Sequence, residues 1–234
     1  MATVDNSQLM IHGELTVSGR LIDASNATLF ATLSLSEESI SCIYKPIAGE
    51  RPLWDFPDGN LAHREYAAYL VSESLKFNLV PLTVLRDGPY GFGMVQEWIS
   101  IDEEINLADY FATDDPSLRA MALFDAIINN TDRKIGHLLP IKNGQLFGCD
   151  HGVTFHVDDK LRTVLWQWSG EPLTMFEKEQ LEFAREVLRK DLDLTPYLTF
   201  QEISALKMRI ERLLSSGVMP MPSSDWPAIP WPAF

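Results

Sequence analysis

Alternating apolar and polar positions dominate the first part of the chain. The segment GELTVSGRLI alternates as a half-buried strand does, and the turn-forming residues ASNAT interrupt it. LFATLSL and SISCIYKP follow as two further strand-like runs, with the polar SEES turn between them. Residues 9–46 are therefore predicted to be strands that form an antiparallel meander ending at Lys45.

A helical pattern follows the meander. After the loop GERPLWDFPDGN, the segment LAHREYAAYLVSESL has apolar residues at helical spacing, and Asn60 can cap its first turn. VPLTVL and FGMVQEWI are predicted to be two strands joined by the turn RDGPYG. The order β-β-β-α-β-β indicates an antiparallel lobe with one helix over residues 1–99.

The pattern changes around Ile99 and becomes mainly helical. INLADYF and PSLRAMALFDAIINN have helical spacing, and a proline suits the first turn of the second helix. LLPIKNGQLFGCD is predicted to be a hairpin that turns at Asn143–Gly144, and residues 176–216 to be two amphipathic helices. We therefore predict an α+β fold with two lobes: 1–99, and a mainly helical lobe over 100–234.

Composition narrows the class of protein. The 234-residue chain has a formal net charge of -14 and no cluster of Lys and Arg, which argues against a nucleic-acid binder. It contains no apolar run long enough to span a membrane and no basic-then-apolar secretory signal. Cys42 and Cys149 lie in strand-like runs and are expected to be buried free thiols. We expect a complete cytoplasmic protein.

Four residues provide candidate chemistry. Asp132 lies in the polar loop NNTDRKIGH, which follows a long apolar helix, and Asp150 follows the apolar strand LFGC. Lys45 ends a predicted strand, and Glu65 lies in the next helix. Phosphoryl transfer needs a cation on the phosphates, acidic metal ligands and a group that orients the nucleophile. Taken singly, each residue is also compatible with a turn or a solvated surface.

The motif pair carries a family resemblance. FDAIINNTDR, followed by a short hairpin and CDHG, resembles the catalytic and metal-binding segments of phosphatidylinositol 3- and 4-kinase-like proteins. NTDR is most similar to type II phosphatidylinositol 4-kinases, and the arrangement recurs in HipA-like bacterial kinases. The resemblance covers residues 19 to 168 approximately. It implies a two-lobed protein-kinase-like fold that binds ATP with Mg²⁺ or Mn²⁺.

The resemblance also implies a role for each residue. Asp132 would be the catalytic aspartate, and Asp150 would be the main metal ligand. Lys45 would contact the α- or β-phosphate, and Glu65 would position Lys45. The adenine would face the backbone of a hinge formed by Gln96, Glu97, Trp98 and Ile99.

Two departures from the family pattern bear on activity. His137 stands where the family has asparagine as second metal ligand, so either this site is weak, Mn²⁺ is preferred or Asn130 takes the role. The family's glycine-rich phosphate loop is replaced by Ile22–Thr28. Backbone N–H groups there, with Ser25, Asn26 and Thr28, can cradle phosphates or form a plain β-turn.

We therefore predict a kinase that moves the γ-phosphoryl group of ATP to a hydroxyl of a protein or small molecule. A lipid acceptor is disfavoured, because the chain lacks a basic amphipathic helix for docking on an anionic membrane. Three alternatives stay open: an inactive nucleotide-binding regulatory module, an enzyme that transfers AMP on the same fold, and a scaffold that binds no nucleotide.

Overall fold

The computed structural model describes residues 5–21 and 27–234 of the chain. Helix α1 (Asn6–His12) precedes three strands, β1 (Glu14–Arg20), β2 (Leu29–Leu35) and β3 (Glu38–Pro46). A short 3-10 turn, Ile47–Gly49, and a loop lead to helix α2 (Leu61–Ser74), which is followed by β4 (Thr83–Gly88) and β5 (Gly91–Glu97).

The five strands form one antiparallel sheet in the order β1-β2-β3-β5-β4. Successive side chains of β3 point to opposite faces, as strand geometry requires. Cys42 and Tyr44 are buried on the face that α1 covers, where they pack with Met10. Lys45 consequently points to the other face of the sheet, and α2 packs against the sheet through β4 and β5.

The second part of the chain is mainly helical. It contains α3 (Leu107–Tyr110), α4 (Pro116–Ile128), α5 (Met175–Lys190) and α6 (Phe200–Ser216), with a two-stranded hairpin of β6 (Leu138–Pro140) and β7 (Leu146–Gly148) after α4. The 3-10 turn Ile135–His137 leads into this hairpin. Side chains cap all four of these helices, at about 1 kcal/mol per cap: Asn106 for α3, Asp115 for α4, Thr174 for α5 and Thr199 for α6.

Two apolar clusters hold the fold together. The smaller one joins α1 to one face of the sheet. The larger one joins α2 to α4, α5, α6 and the hairpin, with Val71, Phe124, Leu181 and Leu206 among its fully buried members. Helix α2 is therefore fixed between the sheet and the helical part, and it can bring a side chain to the boundary of the two.

The predicted α+β class with two lobes, a five-stranded antiparallel sheet and a mainly helical second part is confirmed. The expectation that strands begin at residue 9 is wrong, because residues 9–12 complete α1 and the first strand starts at Glu14. Helix α1 has only seven residues and no side-chain cap, so burial of Leu9 and Met10 determines its conformation. The boundary between 99 and 100 stays a prediction.

Two smaller expectations concern the thiols and membrane segments. Cys42 is buried, Cys149 is partly exposed, and both thiols are free. No helix in the ranges 5–21 and 27–234 has the length and apolar character needed to cross a membrane.

Candidate active site

Three predicted residues meet at the boundary between the sheet and the helical part. Lys45 Nζ on β3 lies 2.6 Å from Glu65 Oε1 on α2 and 2.8 Å from Asp150 Oδ1 after β7. The second oxygen of Glu65, Oε2, accepts a hydrogen bond of 2.8 Å from the backbone N–H of His151. One ammonium group therefore links a strand, a helix and a loop that are far apart in the sequence.

Close backbone contacts hold the ends of the strands that carry these residues. Gly93 on β5 faces Pro46, and a Cβ at Gly93 would lie 2.4 Å from Lys45 O, so only glycine permits this approach. On β7, a Cβ at Gly148 would lie 2.8 Å from Met121 Cε. Asp150 has a φ of 60°, a left-handed conformation that is uncommon outside glycine. Residues held in such conformations are concentrated at functional sites.

The charges of this trio are strongly linked. Burial lowers the pKa of Lys45, but Asp150 and Glu65 outweigh burial and raise the net value above its ordinary range. The charge of Lys45 holds the pKa of Asp150 well below its usual range. Burial raises the pKa of Glu65 despite the same ammonium group. Asp150 is thus ionised at neutral pH and is the more acidic of the two carboxyl groups.

Asp132 lies in the loop after α4. The helix ends at Asn129 in a left-handed conformation with a φ of 54°, which turns the chain away from the helix axis. The backbone N–H of Asp132 donates to Asn130 Oδ1 at 3.0 Å, and Lys134 Nζ lies 3.5 Å from Asp132 Oδ2. Burial raises the pKa of Asp132, Lys134 opposes the rise, and Asp150 adds to it. The two aspartates are therefore close enough to interact.

Arg133, the residue after Asp132 in the NTDR motif, had no predicted role, and it joins the Asp132 loop to the Asp150 loop. Its guanidinium is fully buried and binds Asp125 on α4, with Nε 2.9 Å from Oδ2 and Nη2 2.9 Å from Oδ1. Nη1 donates to the carbonyl of Cys149 at 3.0 Å. The sign of this ion pair in the sequence was an acidic residue in the helix, Asp125, and a basic residue in the loop that follows it, Arg133.

His151 completes this buried network. Arg133 Nη2 lies 2.7 Å from His151 Nε2, and because arginine only donates, Nε2 must accept and the ring proton lies on Nδ1. Burial and the Arg133 charge hold the pKa of His151 well below its ordinary value. His151 is neutral and its Nε2 is engaged by Arg133, so this nitrogen is not available to bind a metal.

His137 lies beside Asp150, with Nε2 3.5 Å from Asp150 Oδ2. Burial lowers the pKa of His137 to about 4, although Asp150 acts in the opposite direction, so the ring is neutral at pH 7. A neutral imidazole is what metal ligation requires, and neighbouring ligands at about 2.1 Å from one cation are roughly 3 Å apart. The backbone N–H of Lys134 donates to His137 Nδ1 at 3.4 Å, which places the ring proton on Nε2, toward Asp150. Asp150 and His137 have the spacing of two ligands of one cation, and Nε2 can bind that cation only after losing this proton.

Other metal donors are scarce at this position. The described residues include no group of three or more His, Cys, Asp or Glu side chains arranged to hold a metal. Asn130 is fully buried, its Nδ2 donates to Asp125 Oδ1 and its Oδ1 accepts from the backbone of Asp132. Both ends of this amide are engaged, so the structure does not favour Asn130 as the second ligand.

The predicted hinge lies at the end of β5. The Gln96 side chain is buried and donates to Thr83 Oγ1, so it points into the fold. The backbone N–H of Glu97 donates to Leu82 O, and the backbone N–H of Trp98 donates to Ser41 O. Both donors are therefore used in bonds at the end of the sheet. Within the described chain, the backbone N–H of Ile99 has no acceptor among these contacts. Among the four predicted hinge residues, Ile99 is therefore one whose backbone N–H has no acceptor within the described chain.

The predicted phosphate loop lies partly outside the described residues. Ser25 and Asn26 lie outside the described residues. Thr28 is buried, and its carbonyl accepts from the backbone N–H of Leu21 where the hairpin closes. Thr28 therefore forms part of the hairpin base.

A comparison with models of known protein families found no match. A protein from Mycobacterium tuberculosis (strain ATCC 25618 / H37Rv), named Protein Rv2133c, is 43% identical over 267 aligned positions that cover 98% of this chain and 96% of the relative. Its name describes no activity.

Two solved kinase structures are similar at a low level. One is the Golgi casein kinase, with 15% identity, a TM-score of 0.49 and coverage of 90% of this chain and 73% of that chain. The other is the Helicobacter pylori proinflammatory kinase CtkA, with 12% identity, a TM-score of 0.46 and coverage of 90% and 94%. Both similarities are remote.

Proposed function

We propose that this chain, which belongs to the family of Protein Rv2133c of Mycobacterium tuberculosis, is an ATP-dependent phosphotransferase. The observation that carries the proposal is the position of Lys45 Nζ, 2.6 Å from Glu65 and 2.8 Å from Asp150. A strand lysine held by a helix carboxylate, next to an aspartate in a strained loop, is what a kinase uses to hold phosphates and metal.

Each residue has a proposed task in the transfer step. Lys45, turned from Asp150 to the nucleotide, neutralises charge on the α- or β-phosphate, and Glu65 keeps the ammonium group in place. Asp132 orients the acceptor hydroxyl and receives its proton. A bond forms between the acceptor oxygen and the γ-phosphorus, and the bond from that phosphorus to the β-γ bridging oxygen breaks, which releases ADP.

Asp150 and His137 are the proposed holders of a divalent cation, which would supply neutralisation of the phosphate charge when bound. The chemistry of this donor pair suits Mn²⁺ better than Mg²⁺, because imidazole is a poor ligand for magnesium and a better one for transition metals. The resemblance to phosphatidylinositol 3- and 4-kinase-like proteins supports the same division of roles.

The test measures ATP-dependent thermal shift and ADP production for the wild type, Asp132→Ala and Asp150→Ala, with Mg²⁺ and with Mn²⁺. A ligand that binds only the native state must raise its apparent stability. We expect Asp150→Ala to lose metal-dependent ATP binding, and Asp132→Ala to keep binding while turnover falls at least about 100-fold. If both variants behave like the wild type, these two assignments are wrong.

The alternatives give different results in the same experiment. The first alternative is an inactive nucleotide-binding module, and it is motivated by His137 at the position where the family has asparagine. ATP binding without ADP release, with either metal, would support it. Mass spectrometry of the modified acceptor separates phosphoryl transfer from AMP transfer, because the two added groups differ in mass. Absence of any thermal shift with ATP and metal would support a scaffold without nucleotide.

A further inference from the structure

Arg209 on α6 is a buried cation without a carboxylate of its own. It is 3% exposed, and the carboxylates that influence its pKa are those of Asp159 and Glu202. Asp159 is paired with Arg212, and Glu202 is paired with Arg64. Among the described residues, Arg209 is therefore left without an ion-pair partner, which is costly for a charge that has been taken out of water.

Backbone carbonyls engage only part of the Arg209 guanidinium. Nε donates to Ile127 O on α4 at 2.9 Å, and Nη1 donates to His156 O at 3.1 Å. Nη2 has no acceptor within residues 5–21 and 27–234. Burial lowers the pKa of Arg209 to about 10, so the group is charged at neutral pH. Buried donors are rarely left without an acceptor in native folds, so a ligand oxygen would be stabilised here.

Arg209 lines a cavity of about 420 Å³, a size in the range of small-molecule sites. The walls of the cavity come from the end of α4, the segment 159–166, the second half of α6 and the segment 218–223. The proposed catalytic and metal-binding residues do not line it. The cavity is therefore a feature separate from the proposed active site.

The side chains that line this cavity carry one excess positive charge. The charged ones are Arg209, Arg212 and Asp159. Arg212 and Asp159 form a bidentate ion pair and neutralise each other, with Nη2 of the arginine 3.0 Å from Oδ1. The charge of Arg209 remains, in a chain with a formal net charge of -14. A monoanion would balance this charge, whereas a phosphate dianion would bring a second negative charge close to Asp159.

Much of the remaining wall is apolar. Leu213 and Met219 are buried, and Trp166 and Val218 are partly buried. The indole N–H of Trp166 donates to Ala228 O, so its polar atom is already engaged. Small-molecule sites combine such apolar walls with a few polar groups that fix the orientation of the ligand. The ligand therefore needs an apolar body in addition to its anionic group.

We propose that this cavity binds a small organic monocarboxylate, whose carboxylate accepts from Arg209 and whose apolar body packs against Trp166 and Leu213. The inference does not depend on the proposed phosphotransferase function, because binding requires neither ATP nor the residues around Lys45. The ligand contacts α4 and α6 together in the native state, so it should raise the apparent stability of the chain.

The first test compares carboxylates with neutral amides of the same shape. Benzoate and 3-phenylpropionate are paired with benzamide and 3-phenylpropionamide, and acetate serves as the anionic group without the apolar body. Binding to the 234-residue chain is measured by ligand-observed NMR at constant ionic strength and without ATP. We expect each aromatic carboxylate to bind about 10-fold more tightly than its amide, because hydrogen bonds between charged groups are stronger than neutral ones. Acetate should bind more weakly than benzoate.

Two neighbouring serines at the end of α6 provide a matched pair of variants. Both are exposed, but Ser216 lines the cavity and Ser215 does not. Ser216→Phe puts a large side chain into the cavity and should weaken benzoate binding about 10-fold or more. Ser215→Phe adds the same side chain outside the cavity and should bind benzoate like the wild type. An unfolding curve checks that both variants fold.

Arg209→Met tests the charge directly, and it should bind benzoate and benzamide equally well. Because Arg209 also donates to two backbone carbonyls, we expect this variant to lose stability, and a second variant covers the case in which it does not fold. Arg212→Gln changes a side chain that is 59% exposed and leaves Asp159 unpaired, so it should reduce the preference for benzoate. Arg189→Gln, which removes an exposed charge from α5, is the control and should keep the preference.

Every outcome bears on the proposal. Absence of carboxylate binding, equal binding of benzoate and benzamide to the wild type, or unchanged binding by Ser216→Phe would overturn it. Tighter binding of inorganic phosphate than of benzoate would overturn the assignment to a carboxylate. A carboxylate preference that Arg209→Met or Arg212→Gln reduces, and that Ser215→Phe retains, would support it. ADP production is measured separately, so a failure of the proposed function leaves these results unchanged.

Discussion

Two clusters of charged side chains lie on either side of the loop after β7, and they differ in their access to solvent. In one, Arg133 and Asp125 are both 0% exposed. In the other, the side chain of Lys45 is 19% exposed and that of Asp150 is 49% exposed. Each cluster shares one basic side chain among several acceptors, so the contrast lies in burial rather than in the type of bond.

The buried cluster has a fixed geometry. Arg133 uses Nε, Nη1 and Nη2 in bonds to Asp125, the Cys149 carbonyl and His151. No water or ligand can replace these partners without opening the fold, because a buried unpaired charge is very costly. The cluster therefore fixes the position of the Asp132 loop relative to the Asp150 loop.

The accessible cluster can exchange its partners. The contact between Lys45 and Asp150 lies at a surface that a phosphate oxygen or a cation can reach. A phosphate oxygen at Lys45 and a cation at Asp150 would replace this contact and preserve the charge balance. Glu65, which is 1% exposed, stays in place through the N–H of His151. The buried ion pair therefore provides rigidity next to the site, and the accessible one is available for chemistry.

The largest expected effect comes from replacing the buried base. Arg133→Met leaves Asp125 buried without its partner, so we expect the free energy of unfolding to fall by about 3–5 kcal/mol, measured by urea denaturation. Lys45→Met is the matched control, because the new side chain is the same and the neighbouring Asp150 is half-exposed. Equal losses of stability in the two variants would remove the distinction between the clusters.

Lys45→Met should instead act mainly on activity. We expect turnover of ATP to fall about 10²- to 10³-fold, because the variant lacks the charge that stabilises the phosphates. The loss of stability should be smaller than for Arg133→Met, since Glu65 can take up a proton when its ammonium partner is gone. ADP production and urea denaturation on one preparation measure both effects. Turnover like that of the wild type would exclude the phosphate role of Lys45.

A pH titration tests the accessible cluster through His137. Its pKa is lowered to about 4 by burial, against an ordinary value near 6.5 in an unfolded chain. As the pH falls, His137 therefore takes up a proton in the unfolded state before it does so in the folded state. The free energy of unfolding should decrease between pH 6.5 and 4, by up to about 3 kcal/mol from this residue. His137→Gln should flatten the dependence.

His151 acts in the same direction, because its pKa is also lowered, and it should leave a residual slope in the His137→Gln variant. The free energy of unfolding at several pH values between 7 and 4 gives both slopes. Identical slopes in the wild type and the variant would mean that His137 is not a buried neutral group.

Strand and helix periodicity predicted much of this arrangement. The strand pattern predicted that Lys45 ends a strand, and the helical spacing after the loop placed Glu65 in the helix that follows, α2. The structure brings both within bonding distance of Asp150. Their catalytic roles stay predictions, since contact alone does not establish chemistry.

Features that depend on distant partners could not be predicted in the same way. Arg133 looks like an ordinary loop cation in the sequence, because charged residues are rarely fully buried, and only the fold shows that Asp125 and the Cys149 carbonyl surround it. The short helix α1 depends on burial of Leu9 and Met10 against the sheet. A cavity lined by Trp54, His156 and Glu202 likewise combines three segments that are far apart in the chain.

The smallest expected effect concerns Lys134, which lies on the accessible side of the Asp132 loop. Its Nζ is 3.5 Å from Asp132 Oδ2, and the two side chains are 22% and 33% exposed. For such a pair, Lys134→Gln should change the free energy of unfolding by less than about 0.5 kcal/mol. Its effect should appear in the pH dependence of turnover, because the charge of Lys134 opposes the burial that raises the pKa of Asp132.

Removing that charge should raise the pKa of Asp132 further, so the acid limb of the pH–rate profile should move to higher pH. Asp132 must be ionised to accept the hydroxyl proton, and a higher pKa means that less of it is ionised at any acidic pH. Lys178→Gln removes an exposed charge on α5 and is the matched control. An equal shift in both variants would indicate a general effect of net charge, whereas a shift only in Lys134→Gln would identify Asp132 as the group whose ionisation limits turnover.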